Sequence, residues 1–373
     1  MLGKHKIIVD EWAEVWDMLE PYADGHFWQW SDVDFDPDAV YILGRNIIRE
    51  NYYPITELAT EYPGRIVFCN PAEGSQTILL QLQRMMIGDF VRDGRIGMIA
   101  SGDLEPGIDY CRTDCYFSNI VEYTENKHAQ TWAALNWQDQ RPYTFLFLNG
   151  RLRPHRKWAI DAFRYLGLLD RALWTNLNSE VAMQFTSVLH PPPEEPIRCL
   201  PPEYEIDRAV PNLDKAQELK FAKHFLFNDT WGDAIVNPRC YTDTWFSVVT
   251  ETIFDYPHTF FTEKIWKPIL MGHPFVVLAN PGYYRSLHDA GFRTFGSVID
   301  ESFDYISDPK SRIETAIKTV YNIVESGADK FWHATRDICK YNQQRLVEFN
   351  REQRQQLPRQ IEQYLNERLR VSS

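Results

Sequence analysis

Short, almost wholly apolar runs alternate with stretches of helical apolar spacing along most of the chain, and this alternation limits the fold more than any other feature. Lys6-Ile7-Ile8-Val9-Asp10 reads as a strand, and Trp12, Val15, Trp16 and Leu19 follow at helical spacing. Ala39–Gly44, Arg65–Cys69 and Ile96–Ala100 are further strand-like runs. The second of these passes through Asn70-Pro71-Ala72-Glu73-Gly74-Ser75 into a helical pattern of Ile78, Leu79, Leu82 and Met85. Strands apolar on both faces and separated by helices predict a mainly parallel sheet covered by helices.

From Tyr123 to Arg141 the pattern turns polar and irregular, and the alternation restarts at Tyr143-Thr144-Phe145-Leu146-Phe147-Leu148-Asn149-Gly150. A helix through Trp158, Ile160, Phe163 and Leu166 follows, then a strand at Ala172–Thr175. The proline-dense stretch from Pro191 to Pro211 suits an extended surface loop. Next come a strand at Trp245–Thr250, a helix from Glu263 to Met271 stopped by Gly272, and a strand at Phe275–Ala279. The tail is helical, with one stripe of Ile313, Ala316, Ile317, Val320, Tyr321 and Val324, and with Leu357-Pro358 opening a last helix. At 373 residues the chain is long for one domain. The expected architecture is α/β: residues 1–140 as an N-terminal domain, 141–330 as a second domain, and 331–373 as terminal helices packing back on the first. Two doubly wound, Rossmann-like domains of this kind face each other across a cleft at the carboxyl ends of their strands.

Composition narrows the partners. With 39 basic and 52 acidic residues the formal charge is -13, the wrong sign for a nucleic-acid binder. No apolar stretch reaches the roughly 20 residues of a membrane span, and Met1–Lys6 is no signal-peptide start, so the expectation is a cytoplasmic protein without a membrane span. The six cysteines lie in no ligand spacing and read as reduced thiols. Aromatic content of 14%, with 12 Trp, suits either carbohydrate surfaces or large aromatic cores. Neither GxGxxG nor GxxxxGK[ST] occurs, which leaves dinucleotide oxidoreductases and P-loop enzymes without support.

Three places carry chemistry. In Phe260-Phe261-Thr262-Glu263-Lys264-Ile265-Trp266-Lys267, Thr262 can cap a helix whose first amides suit a phosphate; Lys264 adds a cation and Glu263 can accept ribose hydroxyls. The same pattern also fits a capped amphipathic helix with a surface lysine. In Asn149-Gly150-Arg151-Leu152-Arg153-Pro154-His155-Arg156, three arginines lie between a strand and a helix, as anion ligands or as a solvated turn. Asp32-Val33-Asp34-Phe35-Asp36-Pro37-Asp38 spells DxD three times, but it precedes a strand, and a solvated acidic loop explains it as well as a metal site does.

Thr262-Glu263-Lys264, with Gly272-His273-Pro274-Phe275-Val276-Val277-Leu278 and the preceding Phe246-Ser247-Val248-Val249-Thr250-Glu251-Thr252, resembles the donor-site region of fucosyltransferase-like glycosyltransferases of the GT-B fold. Leu287, Gly291-Phe292 and Thr294-Phe295 fit related proteins. The resemblance lies mainly in residues 247–295, and Thr250-Glu251-Thr252 stands where that family has a Phe-Glu-Asn type sequence. It implies a GT-B enzyme moving a sugar from a nucleotide-diphosphate sugar, GDP-fucose or a related donor, to a glycan or other hydroxyl acceptor, with inversion and without a metal or other cofactor. Arg153, Arg156, Glu251, Thr262, Glu263 and Lys264 then bind the donor, with Arg156 the first choice for its diphosphate. A carboxylate of the N-terminal domain deprotonates the acceptor. Glu73 is the candidate, ahead of Asp103, Glu105 and Glu11. The alternatives are a non-catalytic nucleotide-sugar or glycan-binding protein and a metal-dependent transferase built on the DxD run.

Overall fold

The computed structural model describes residues 6–9, 19, 36–44, 53–72, 82, 87–114, 118–122, 140–150, 152–176, 198–204 and 236–371. Strands β1 (Lys6–Val9), β2 (Ala39–Gly44), β3 (Ile66–Asn70), β4 (Ile96–Ala100) and β5 (Tyr110–Arg112) form a parallel sheet in chain order. Ile66 and Asn70 of β3 pair with Ile96 and Ala100 of β4, so the two strands end at one level. Four of these strands match the apolar runs; three-residue β5, flanked by polar residues, offers no such run.

Alternate residues of this sheet feed two cores. Tyr41, Leu43, Phe68 and Met98 pack with Ile55 and Ala59 of α1 (Tyr53–Glu61) and Val91 of α2 (Gly88–Arg92). Val9, Val40, Ile42, Val67 and Ile99 face the other way, against Leu357, Ile361, Tyr364 and Leu365. The period of two that separates these sets is the strand's own geometry.

The second sheet holds β6 (Tyr143–Phe147), β7 (Ala172–Trp174), β8 (Thr244–Thr250) and β9 (Phe275–Leu278) in the order β7-β6-β8-β9, all pairs parallel. Between them lie α3 (Pro154–Tyr165), α4 (Pro238–Thr242) and α5 (Glu263–Leu270), followed by α6 (Tyr283–Asp289) and α7 (Pro309–Ser326). The strand order reverses about β6, as in a doubly wound sheet; among the described residues the first sheet has no such reversal. Both sheets with their helices form a mixed α/β architecture compatible with a Rossmann-like fold.

Two sequence expectations are corrected. Tyr321 is 38% exposed, and Ile323 takes its place on the buried stripe of α7. Leu357-Pro358 opens no helix: a single helix, α8 (Ala328–Val371), runs for 44 residues with Pro358 inside it. Proline in a helix interior costs about 3 kcal/mol. Leu357, Ile361 and Leu365 are each 0% exposed, and burying such side chains returns about 1.5–3 kcal/mol apiece, which outweighs the break. Upstream, Phe331, Cys339, Leu346 and Phe349 of the same helix pack in the core of the second sheet, so α8 is anchored on both sides of the proline.

Two side chains near its end fix α8 on the first sheet. Tyr364 Oη accepts the Met98 amide at 2.9 Å and donates to the Asp109 carbonyl at 3.1 Å. Arg368 donates to the Asp109 carboxylate and the Gly94 carbonyl, both at 2.8 Å. Gly97 makes room for both, since a Cβ there would lie 2.7 Å from Arg368 Cζ and from Tyr364 Oη. Gly97→Val is therefore expected to lower stability by about 1–3 kcal/mol in chemical denaturation. An unchanged midpoint would mean that α8 is not seated at this point.

Candidate functional site

The reversal between β6 and β8 places the crevice of the second sheet at their carboxyl ends, where open α/β sheets bind ligands. Asn149 follows β6. Its amide donates to Thr175 Oγ1 at 2.9 Å, and the Thr175 hydroxyl donates back to its carbonyl at 3.1 Å, which ties it to the end of β7. Its side-chain Oδ1 accepts the Thr250 hydroxyl at 2.7 Å, across to β8. Asn149 is 1% exposed, and among the described residues its Nδ2 has no hydrogen-bond partner. Asn280, after β9, gives its Nδ2 to Thr259 Oγ1 and the Pro281 carbonyl, both at 3.0 Å, and its buried Oδ1 is likewise unmatched.

Helix α3 starts at this edge. Arg153 is its extended N-cap and Pro154 opens its first turn, where a missing N–H does no harm. The two residues that follow turn inward. Arg156 Nη2 donates to the carbonyls of Thr250 at 3.1 Å and Glu251 at 3.3 Å, and His155 Nε2 donates to the Glu251 carbonyl at 2.9 Å. The His155 ring stacks on Phe254 with centroids 4.9 Å apart. Burial, then the charges of Arg156 and Arg153, hold this imidazole well below its ordinary pKa. Arg312 of α7 lies over the Phe254 ring and donates to the carbonyls of Ala279, Ile306, Ser307 and Phe254. Two buried guanidiniums thus clamp the backbone around the ends of β8 and β9.

Glu251 is 0% exposed. Its carboxylate accepts the Thr262 hydroxyl at 2.7 Å, the Tyr283 hydroxyl at 2.8 Å, the Thr252 amide at 3.1 Å and the Thr262 amide at 3.4 Å. Burial raises its pKa, against the opposing pull of Lys264 and the Thr262 bond. Thr262 Oγ1 in turn caps α5 by accepting the Lys264 amide at 3.2 Å. Lys264 pairs with Glu263 and touches Thr262 Oγ1 at 3.3 Å. Burial works against the Glu263 charge, but Lys264 and Lys267 prevail and lower its pKa. The Lys264 side chain is 26% exposed, so it is a cation of this cluster that an incoming ligand can meet.

The structure therefore joins Arg156, Glu251, Thr262, Glu263 and Lys264 through one chain of bonds, with Arg153 at the start of α3. It also divides their work. Glu251 and Arg156 are committed to holding the backbone and the α5 cap, whereas Lys264 faces outward. Sequence reading did not single out Asn149 as a candidate, although an Asn just past an apolar run at a strand's carboxyl end was a usable signal. Asn280 carried the same signal after β9. Arg312 carried none, being one polar residue beside the apolar stripe of α7.

The carboxyl end of β4 meets this edge. The Asp103 amide donates to the Thr259 carbonyl at 3.0 Å, and Tyr256 hydrogen-bonds Glu105. Gly102, at φ 71°, lets the two loops approach, since a Cβ there would collide with the Thr259 carbonyl. Glu73 lies outside the described residues, as do Asp32, Asp34 and Glu11. Asp36 accepts Lys6 Nζ at 2.8 Å and the Asp38 amide at 2.9 Å, as a turn residue does. Among the described residues no group of three His, Cys, Asp or Glu could hold a metal, and no helix is long and apolar enough to cross a membrane.

The chain matches no protein-family model, no curated protein and no solved structure.

His273, at the amino ends of β8 and β9 and so opposite the candidate site, makes the pH dependence of folding testable. Its Nε2 donates to the Thr244 carbonyl at 2.8 Å and its Nδ1 accepts the Ser247 hydroxyl at 2.8 Å, and burial pushes its pKa down to about 3. Between pH ~6.5 and 3 the unfolded chain binds a proton at this histidine that the folded chain does not, so its contribution to stability is full above that window and falls as pH falls. The expected slope from this group is about 1.4 kcal/mol per pH unit. His273→Gln should flatten the curve of unfolding free energy against pH by one proton in that range; parallel curves for parent and variant would refute the assignment.

Proposed function

We propose that this protein is a glycosyltransferase that takes a sugar from a nucleotide-diphosphate sugar to a glycan or other hydroxyl acceptor, with two Rossmann-like halves arranged in the GT-B manner. The observation that carries the reading is the switch point between β6 and β8. There the start of α3 and the capped N-terminus of α5, with Lys264, are tied together by hydrogen bonds around Glu251. A helix N-terminus beside a lysine favours a phosphate, and in many enzymes the greatest share of the rate enhancement comes from cations and amides placed where charge gathers, here on the leaving diphosphate. The sequence resemblance in residues 247–295 points to the same chemistry. The meeting of the β4 end with the Tyr256–Phe260 loop supports an acceptor half opposite the donor half.

In this reading Lys264 and the first amides of α5 take the diphosphate, Glu263 takes ribose hydroxyls, and Arg153 completes the cationic wall. Arg156, through Nη2, and Glu251, through its carboxylate, also position these groups by internal hydrogen bonds. The sugar is transferred with inversion: an acceptor oxygen attacks the anomeric carbon, its proton passes to a carboxylate, and the nucleoside diphosphate leaves. Glu73 is the proposed base, with Asp103 and Glu105 the next carboxylates at the meeting of the two edges.

Thermal-shift measurement across GDP, UDP, CDP, ADP and dTDP tests the donor site. One of them should stabilise the protein without added metal, by about 2.7 kcal/mol at 100 times its dissociation constant. Lys264→Ala should abolish most of that shift and leave the unliganded melting point within about 2 °C, because a partly exposed lysine adds little to folding. A response that appears only with Mg²⁺ or Mn²⁺, or a variant as responsive as the parent, would overturn the metal-free site.

The base is tested separately. Glu73→Gln should cut turnover by about 10²–10⁴ with the calorimetric affinity for the nucleoside diphosphate unchanged. Near-parental turnover would remove Glu73 and pass the role to Asp103 or Glu105.

A further inference from the structure

Asn149 holds a position that folding alone does not explain. Its backbone is pinned by Thr175 and its Oδ1 by Thr250, so the amide plane is fixed, yet among the described residues the two N–H groups of Nδ2 have no acceptor in a residue 1% exposed. Buried amide donors without acceptors are disfavoured, and those that natural proteins keep call for a partner that is absent. The location names that partner. Thr250, which fixes the Asn149 amide, is the last residue of β8; its carbonyl accepts from Arg156, and the next residue ties to the cap of α5 through Thr262. Asn149 therefore lies buried at the carboxyl ends of β6 and β8, linked through Thr250 to the Arg156 guanidinium, a setting that favours an anionic acceptor.

We infer that Asn149 is a ligand-reading residue whose Nδ2 donates to a phosphate oxygen of the bound diphosphate. This rests on the donor-site reading above and adds to it a neutral group that selects by hydrogen bonding rather than by charge. A neutral donor beside Thr250 adds a directed hydrogen bond to an oxygen with free lone pairs, while Lys264 and the α5 amides supply the charge. The backbone bonds to Thr175 survive any side-chain change at 149, whereas the donor is tested apart from the fold only where an acceptor for Thr250 is kept.

Asn149→Ala and Asn149→Asp form the test, with inorganic pyrophosphate and the nucleoside diphosphate that the parent binds as probes, measured by calorimetry beside melting temperature. Asn149→Asp keeps an acceptor for Thr250 and replaces the donor with a second acceptor. Both variants should weaken both probes by about tenfold or more; Asn149→Ala, which unpairs the buried Thr250 hydroxyl, should also melt below the parent, and Asn149→Asp, which keeps that acceptor, should melt nearer to it. Affinity within about twofold of the parent in either variant would overturn the inference and leave the transferase reading standing. Loss of affinity accompanied by a melting temperature about 5 °C lower in both variants would assign Asn149 to structure and also overturn it. A parent that binds neither pyrophosphate nor any nucleoside diphosphate would overturn the inference and the donor-site reading together.

Discussion

A single buried carboxylate organises the candidate site. Glu251 follows β8 and is bonded on every side: its amide donates to the Leu278 carbonyl of β9, its carbonyl accepts His155 and Arg156 of α3, and its carboxylate accepts Thr262 and Tyr283 from the starts of α5 and α6. Three helices are thus referred to one residue between two strands. A buried carboxyl group is costly unless its lone pairs are used, and here four donors use them. Removing the carboxylate would leave those donors unmatched and would free the cap of α5, so folding and site geometry share one cause.

The first sheet depends on a different constraint. Its strands lie in chain order, with α1 and α2 on one face, and the second face is covered at a distance in sequence, by the last turns of α8. The long helix therefore belongs to two cores, and its tolerance of Pro358 follows from being held on both sides. Gln343 of the same helix donates to the Leu270 carbonyl at the end of α5, at 2.9 Å. It thereby links the element that closes the first sheet to the element that carries Thr262 and Lys264.

The strands were the most legible part of the sequence, because parallel strands buried on both faces must be apolar at every position. Ala39–Gly44, Ile96–Ala100 and Phe275–Leu278 could be read directly. What escaped was whatever depends on partners far away in the chain. Pro358 reads as a helix start because local propensity takes no account of Val9 and Ile42, which hold Leu357 and Ile361 in place. Thr262, Glu263 and Lys264 were visible as a capped helix start. That Glu251 and Arg156 would point inward was not visible, since a charged residue next to a cleft and one beneath it have the same spelling. Asn149 and Asn280 could be placed at strand ends, but a leftover hydrogen-bond donor or acceptor exists only once the other partners are assigned.

The site separates fixed charge from movable charge. Arg156 and Arg312 spend their donors on main-chain carbonyls, and a guanidinium held in that way contributes potential without moving. Their fields reach His155, whose pKa is held down first by burial and then by the neighbouring guanidinium charges. Lys264 is different: a flexible ammonium, partly exposed, pairs with the neighbouring Glu263. In the proposed donor-site reading, an entering anion draws this ammonium toward it and Glu263 is released to accept hydroxyl groups. Lys267 keeps that exchange favourable, because it too holds the Glu263 carboxyl in its charged form.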